Sequence, residues 1–253
     1  MKKVIVIANW KMNPDSLDKA NALFDLVKKG IPSNQKAEVV ICPPYIYLNN
    51  LKKRTNSFLK FGAQDCFWEK KGAYTGGISA LMLKNLGCKY VIIGHSDRRR
   101  YFNETNEAIN KKLKAVLNEK MVPVLCIGET KEQRSKGQTK SVLRKQIKSA
   151  LNGINISGLK NLEFCIVYEP IWAIGSKNPC DVKEIQKIAL FIRRLVAENY
   201  NAKIAEKISI LYGGSVVAKN VFDYIDMAGL QGVVVGGASL DAKEFVKIVE
   251  AVS

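Results

Sequence analysis

One histidine, His95, occurs in the 253 residues. Imidazole-built metal centres draw on more than one, so a zinc site here would need an all-cysteine set. The six cysteines (42, 66, 88, 126, 165 and 180) do not offer one. They form no C-x-x-C pair, and several sit in apolar runs such as VVIC and FCIVY. They read as buried free thiols, and no metal is expected. Long hydrophobic runs are also missing: nothing approaches the roughly 20 apolar residues that cross a bilayer. The opening MKKVIVIANWKMN breaks at Asn9 and has no small-residue cleavage site, so no secretory leader is expected. The chain is expected in the cytoplasm, with no membrane partner. A Pro/Gly/Ser-rich linker is absent too, which predicts one domain over 1–253.

Acidic residues are few. Lys and Arg number 40 against 23 Asp and Glu, a formal net charge of +17. The cations are scattered in twos and threes, such as Lys28–Lys29 and Lys52–Lys53–Arg54, which describes solvated faces with a general attraction for anions. No RNP-type aromatic motif, zinc finger or basic heptad region accompanies them, so no specific nucleic-acid partner is expected.

What is present is repetition. Short apolar runs recur as VIVIAN (4–9), EVVIC (38–42), FLKFGAQ (58–64), YVIIG (90–94), VPVLCIG (122–128), FCIVYE (164–169), ISILYGG (208–214) and GVVVGG (232–237). Most are too continuous for half-exposed strands and predict a parallel sheet covered outside. Helical periodicity lies between them. Over 181–200, Ile185, Ile188, Ile192 and Leu195 share a face, and Asp181 with Glu184 has capping-box spacing. Asp241 and Glu244 repeat that spacing before Phe245, Ile248, Val249 and Val252. Further helices are predicted at 16–29 and 105–119, and short ones at 46–54 and 79–86. Eight strands alternating with helices predict an α/β fold, the (β/α)8 TIM barrel. An open doubly wound sheet is the alternative, but no G-x-G-x-x-G follows the first strand.

Barrel sites lie at the C-terminal strand ends. There the chain places Asn9 and Lys11, Gln64 and Asp65, His95, Glu129, Glu169, and the glycine pairs 213–214 and 236–237. The two pairs, on adjacent strand ends, suit a phosphate held by backbone N–H groups and a short extra helix. Glu169 ends an apolar strand and precedes IWAIGS, a loop apolar enough to close over a ligand and expel water. Lys11 could neutralise an anion or form a Schiff base. His95 precedes a helix start, whose dipole should disfavour the imidazolium; a neutral imidazole could then donate to a carbonyl oxygen. The set suggests proton abstraction α to a carbonyl.

ANWKMN, GAYTGGIS, GHSDRR, PVLCIGET, YEPIWAIGS, LYGGSV and VVVGGASL occur in that order from residue 8 to 240. Together they resemble the triosephosphate isomerase family over essentially the whole chain. The resemblance implies cofactor-free interconversion of dihydroxyacetone phosphate and glyceraldehyde 3-phosphate. It implies Glu169 as base, His95 as electrophile, Lys11 as substrate-binding cation and Asn9 as its polar partner. Gly175, Ser215, Gly236 and Gly237 match positions that offer backbone N–H groups to phosphate. A glutamate base beside an uncharged histidine, under a closing loop, is already known for this family and is carried over from it. The family is usually a homodimer, in which a loop after strand 3 enters the partner. The 65–79 region corresponds, with Thr75 as the threonine that braces lysine and histidine.

Three features depart from the family pattern. Asp97 stands where a glutamate is usual, shortening the side chain by about 1.5 Å. Such a displacement could cost activity, so Asp97→Glu is expected to be at least as active as the native chain. Lys177 replaces a hinge glycine and Pro179 follows it. Gly77 replaces a glutamate of the dimer loop. Two other readings stand beside the isomerase: a phosphate-binding aldolase using Lys11 as a Schiff base, and a non-catalytic basic binding protein. A metal-dependent barrel drawing on Asp65, Glu129 and Glu169 is a more distant third.

Overall fold

A computed structural model describes residues 3–55, 58–156, 163–176 and 179–253. Its strands are β1 (Ile5–Asn9), β2 (Glu38–Cys42), β3 (Leu59–Ala63), β4 (Tyr90–Ile93), β5 (Val122–Ile127), β6 (Cys165–Tyr168), β7 (Ser209–Tyr212) and β8 (Gly232–Val235). All are parallel to their neighbours and follow chain order round a closed barrel. Closure is made by β8 against β1, with Ile5 opposite Gly232 and Ala8 opposite Val235. The helices are α1 (Leu17–Gly30), α2 (Tyr45–Arg54), α3 (Ala80–Asn85), α4 (Ser96–Tyr101), α5 (Asn106–Asn118), α6 (Lys131–Ser135), α7 (Thr139–Ala150), α8 (Val182–Asn199), α9 (Ala202–Lys207), α10 (Ala218–Asp226) and α11 (Ala242–Glu250).

The strands are apolar throughout because both of their faces are covered. Ile7, Val40, Ile92, Val124, Val167 and Leu211 fill the barrel interior. The alternate positions, such as Val6, Ile41, Val91, Leu125, Ile166 and Val233, pack against the helices. Each such side chain taken fully from water contributes roughly 1.5–3 kcal/mol. All six cysteines are buried and free. No helix among the described residues is long and apolar enough to cross a membrane.

Expectation and structure part company at the helix starts. Asp181 does accept from the N–H groups of Lys183 and Glu184, but the Glu184 carboxylate does not return the bond. It pairs with Arg134 instead. Glu244 likewise turns away and accepts the Ala218 N–H at 2.8 Å. The reciprocal box forms at Thr130 and Gln133, opening α6. Tertiary partners outcompete the local bond because they also satisfy a neighbouring helix. Val252 lies beyond the end of α11. Lys177 falls outside the described residues.

Candidate active site

A cleft of about 440 Å³ opens at the C-terminal end of the barrel. Asn9, Lys11, His95, Glu169, Gly175, Ser215, Gly236 and Gly237 all line it, so the strand ends bring these distant residues together. Thr75 is not among them; it lies in the exposed 71–77 stretch.

Lys11 leaves β1 with φ +54°, a left-handed conformation that a non-glycine residue adopts only when its surroundings impose it. Two side chains do so here. The Lys11 N–H donates to Asn9 Oδ1 at 3.1 Å, and Gln64 Nε2 donates to the Lys11 carbonyl at 2.8 Å. The Asn9 oxygen is thereby occupied, which leaves its NH2 as the group available to a ligand. Lys11 Nζ stands 3.1 Å from Asp97 Oδ2. The missing methylene at position 97 therefore opens no gap, because the aspartate reaches the lysine. Asp97→Glu should accordingly leave turnover unchanged or raise it. A steady-state comparison that shows a clear loss would mean the backbone has adapted to aspartate.

His95 is the N-cap of α4, and its Nδ1 accepts the Asp97 N–H at 3.1 Å. This assigns the hydrogen of the neutral ring to Nε2, which lies 2.9 Å from Glu169 Oε1. Burial is the largest influence on the imidazole and pulls its pKa down. The carboxylates of Glu169 and Asp97 together outweigh burial and Lys11, and the net direction is up. This corrects the expectation from the helix dipole: α4 has only six residues, and two carboxylates, those of Glu169 and Asp97, lie against the ring.

Glu169 is 4% exposed and fully engaged. Besides His95 it accepts the Ser96 N–H and the Ser96 hydroxyl, each at 3.1 Å. Nothing in the sequence singles out Ser96. Its only signal is its place beside the histidine, and the contact spans 73 residues. The loop after β6 begins as a 3₁₀ turn, Ile171–Ala173. There Trp172 Nε1 donates to Glu129 at 2.9 Å, as Tyr168 does at 3.1 Å. Glu129 thus anchors the start of the loop, and burial raises its pKa.

The two glycine pairs differ in function. A Cβ on Gly213 would stand 2.7 Å from Val167, and one on Gly214 would stand 2.2 Å from the Tyr212 hydroxyl, so packing alone demands these two. At Gly236 the nearest atom to such a Cβ is Lys11 Cε at 3.7 Å, and Gly237 meets nothing within 4 Å. The second pair faces open cleft. No hydrogen bond among the described residues uses the N–H of Ser215 or Gly237. The extra helix after β8 is a four-residue 3₁₀ turn, Gly237–Leu240.

The three groups of the metal-dependent alternative have separate commitments. Asp65 faces Lys112 at 2.7 Å and Arg98 at 2.9 Å, Glu129 holds Tyr168 and Trp172, and Glu169 holds Ser96 and His95.

Comparison with known proteins agrees with this geometry. The family model for triosephosphate isomerase matches residues 4–252. The chain is similar to triosephosphate isomerases of Alkaliphilus oremlandii (44% identical, over 98% of this chain and 99% of the relative) and Dictyoglomus thermophilum (40%, over 99% and 100%). That of Dehalococcoides mccartyi is 44% identical over 98% of this chain and 96% of its own. With its barrel, its strand-end residues and these matches, the chain belongs to the triosephosphate isomerase family.

Proposed function

We propose that this protein interconverts dihydroxyacetone phosphate and D-glyceraldehyde 3-phosphate through an enediolate, with Glu169 as the base. The observation that carries the reading is the convergence of Glu169, His95 and Lys11 on one cleft, opposite unpartnered backbone N–H groups. In this structure Glu169 rests on Ser96 and His95. Substrate binding and loop closure exchange those bonds for the substrate's carbon-bound proton. The carboxylate then takes that proton and returns it to the adjacent carbon. His95 Nε2–H and the Lys11 ammonium meet the developing oxyanion, and the N–H groups of Gly175, Ser215, Gly236 and Gly237 hold the phosphate. When Glu169 leaves, its upward influence on His95 goes too.

A Schiff-base aldolase fits less well, because Lys11 Nζ faces the Asp97 carboxylate rather than the apolar pocket that activates a lysine nucleophile. The test is turnover of dihydroxyacetone phosphate in D2O. The aldehyde product should carry deuterium at C2, and borohydride should trap no adduct on Lys11. An adduct, with no deuterated aldehyde, would overturn the isomerase reading.

The same reading includes a homodimer. Met12, Ile46, Tyr74, Met82 and Phe102 are large apolar side chains that are 47–93% exposed; Tyr74 belongs to the 65–79 loop and Phe102 lines the hollow beside it. A hollow of about 400 Å³ beside that loop, lined by Tyr45, Gly76, Arg98 and Phe102 among others, is suited to the partner's loop tip. Thr75→Arg should halve the sedimenting mass and reduce turnover by about 10-fold or more, through loss of the partner's brace. A monomer with native turnover would remove that role. Six free thiols suit a reducing cytoplasm.

A further inference from the structure

Of the three arginines in SDRRRY, two have evident employment. Arg98 pairs with Asp65 at 2.9 Å, and the exposed Arg100 lies over the Tyr101 ring at 5.0 Å. Arg99 is different. Its Nε donates to the Gly94 carbonyl at 2.8 Å, its Nη2 to the Cys126 carbonyl at 3.3 Å, and its Nη1 to Asn106 Oδ1 at 2.8 Å. No carboxylate among the described residues forms an ion pair with it.

The two carbonyls explain what this guanidinium replaces. Strands β4 and β5 pair through Ile93 opposite Leu125, so Gly94 and Cys126 occupy the next position in register. The β4 chain leaves the sheet there, because His95 must turn into α4. The ladder ends at that point, and among the described residues no backbone N–H outside the strands donates to the Gly94 or the Cys126 carbonyl. Arg99 bridges them. Gly94 precedes His95 directly and Cys126 lines the cleft, so the bridge lies at the wall of the site. The Gly94 position is tight: a Cβ on it would stand 3.1 Å from Arg99 Nη2 and 3.2 Å from the Cys126 carbonyl. The backbone ahead of His95 thus has little room to shift while the guanidinium is in place.

We propose that Arg99 is a positioning residue for the isomerisation, fixing the direction of His95 Nε2–H by tying the ends of β4 and β5 together behind the cleft. This role rests on the isomerase reading above. A planar fork suits it well. A lysine in the same position would carry the charge but could not span both carbonyls and Asn106 in one plane. Burial holds the guanidinium below its usual pKa, with Glu104 and Glu169 acting on it only through space.

Steady-state kinetics on Arg99→Gln and Arg99→Lys beside the native chain test this. A displacement of about 1 Å in a catalytic group costs about 10²-fold, so Arg99→Gln should lose turnover on that order. KM should change by less than about threefold, because Arg99 bonds Gly94, Asn106 and Cys126 and none of the groups proposed to hold the phosphate. Added guanidinium should restore part of the turnover of Arg99→Ala, whereas sodium at the same ionic strength should not. Native turnover in Arg99→Gln would overturn the proposal. So would a loss that appears in KM alone, or a loss that guanidinium does not rescue. If Arg99→Gln fails to fold, Arg99→Lys decides: it must lose turnover at native KM, and native turnover in it overturns the proposal. An inactive native chain would instead sink the isomerase reading itself.

Discussion

Glu169→Gln should lower turnover by about 10²- to 10⁴-fold, the contribution of a positioned general base. Glutamine keeps the shape of the side chain and removes its capacity to take a proton. It also disturbs the resting contacts. The carboxylate accepts three bonds there, from the Ser96 N–H, the Ser96 hydroxyl and His95 Nε2. A glutamine NH2 must face either the Ser96 N–H or the imidazole N–H, both donors. An unsatisfied buried group of this kind costs about 1–3 kcal/mol, so the variant should also unfold earlier. Glu169→Asp separates the two effects. It retains the carboxylate but withdraws it by about 1.5 Å, so it should lose turnover on the order of 10²-fold. Steady-state rates with a denaturant midpoint for each variant check both. A glutamine variant with native turnover would remove Glu169 from the chemistry.

Lys11→Met should lower kcat/KM by about 10²- to 10³-fold, the usual cost of removing one preorganised group that stabilises a developing oxyanion. The loss should appear in KM as well as in kcat, because the ammonium meets an anion both before and during proton transfer. Asp97 sharpens the expectation. It lies 3.1 Å from Lys11 Nζ, and without the lysine its negative charge would face the substrate unopposed. The double variant Lys11→Met with Asp97→Asn should therefore regain part of the loss. Kinetics on the three variants give the coupling directly. If the two substitutions simply add, the ion pair has no bearing on substrate binding.

The barrel is legible in the sequence because both faces of each strand are covered, and this forces apolar runs that no half-exposed sheet would show. The long helices are equally plain from periodicity. Their caps are less so: the spacing of Asp181 and Glu184 is local, but Arg134 lies 50 residues away and takes the glutamate. In the site, Asn9, Lys11, His95 and Glu169 can be named once the strand ends of a barrel are taken to converge. Ser96, Trp172 and Arg99 cannot. A serine after a histidine, or the middle residue of three arginines, carries no mark of its partner. Those contacts exist only after β4, β5 and β6 are set side by side. The histidine's protonation escapes the sequence for the same reason, since the helix start is visible there but not the glutamate lying against the ring.

Lys11, His95 and Glu169 are proposed to form one cofactor-free isomerase site. The most direct measurement is a coupled assay of the purified native chain with glyceraldehyde 3-phosphate, run with and without a chelator. Rapid turnover that is indifferent to the chelator is the predicted result. No turnover, or turnover that the chelator abolishes, would contradict the account.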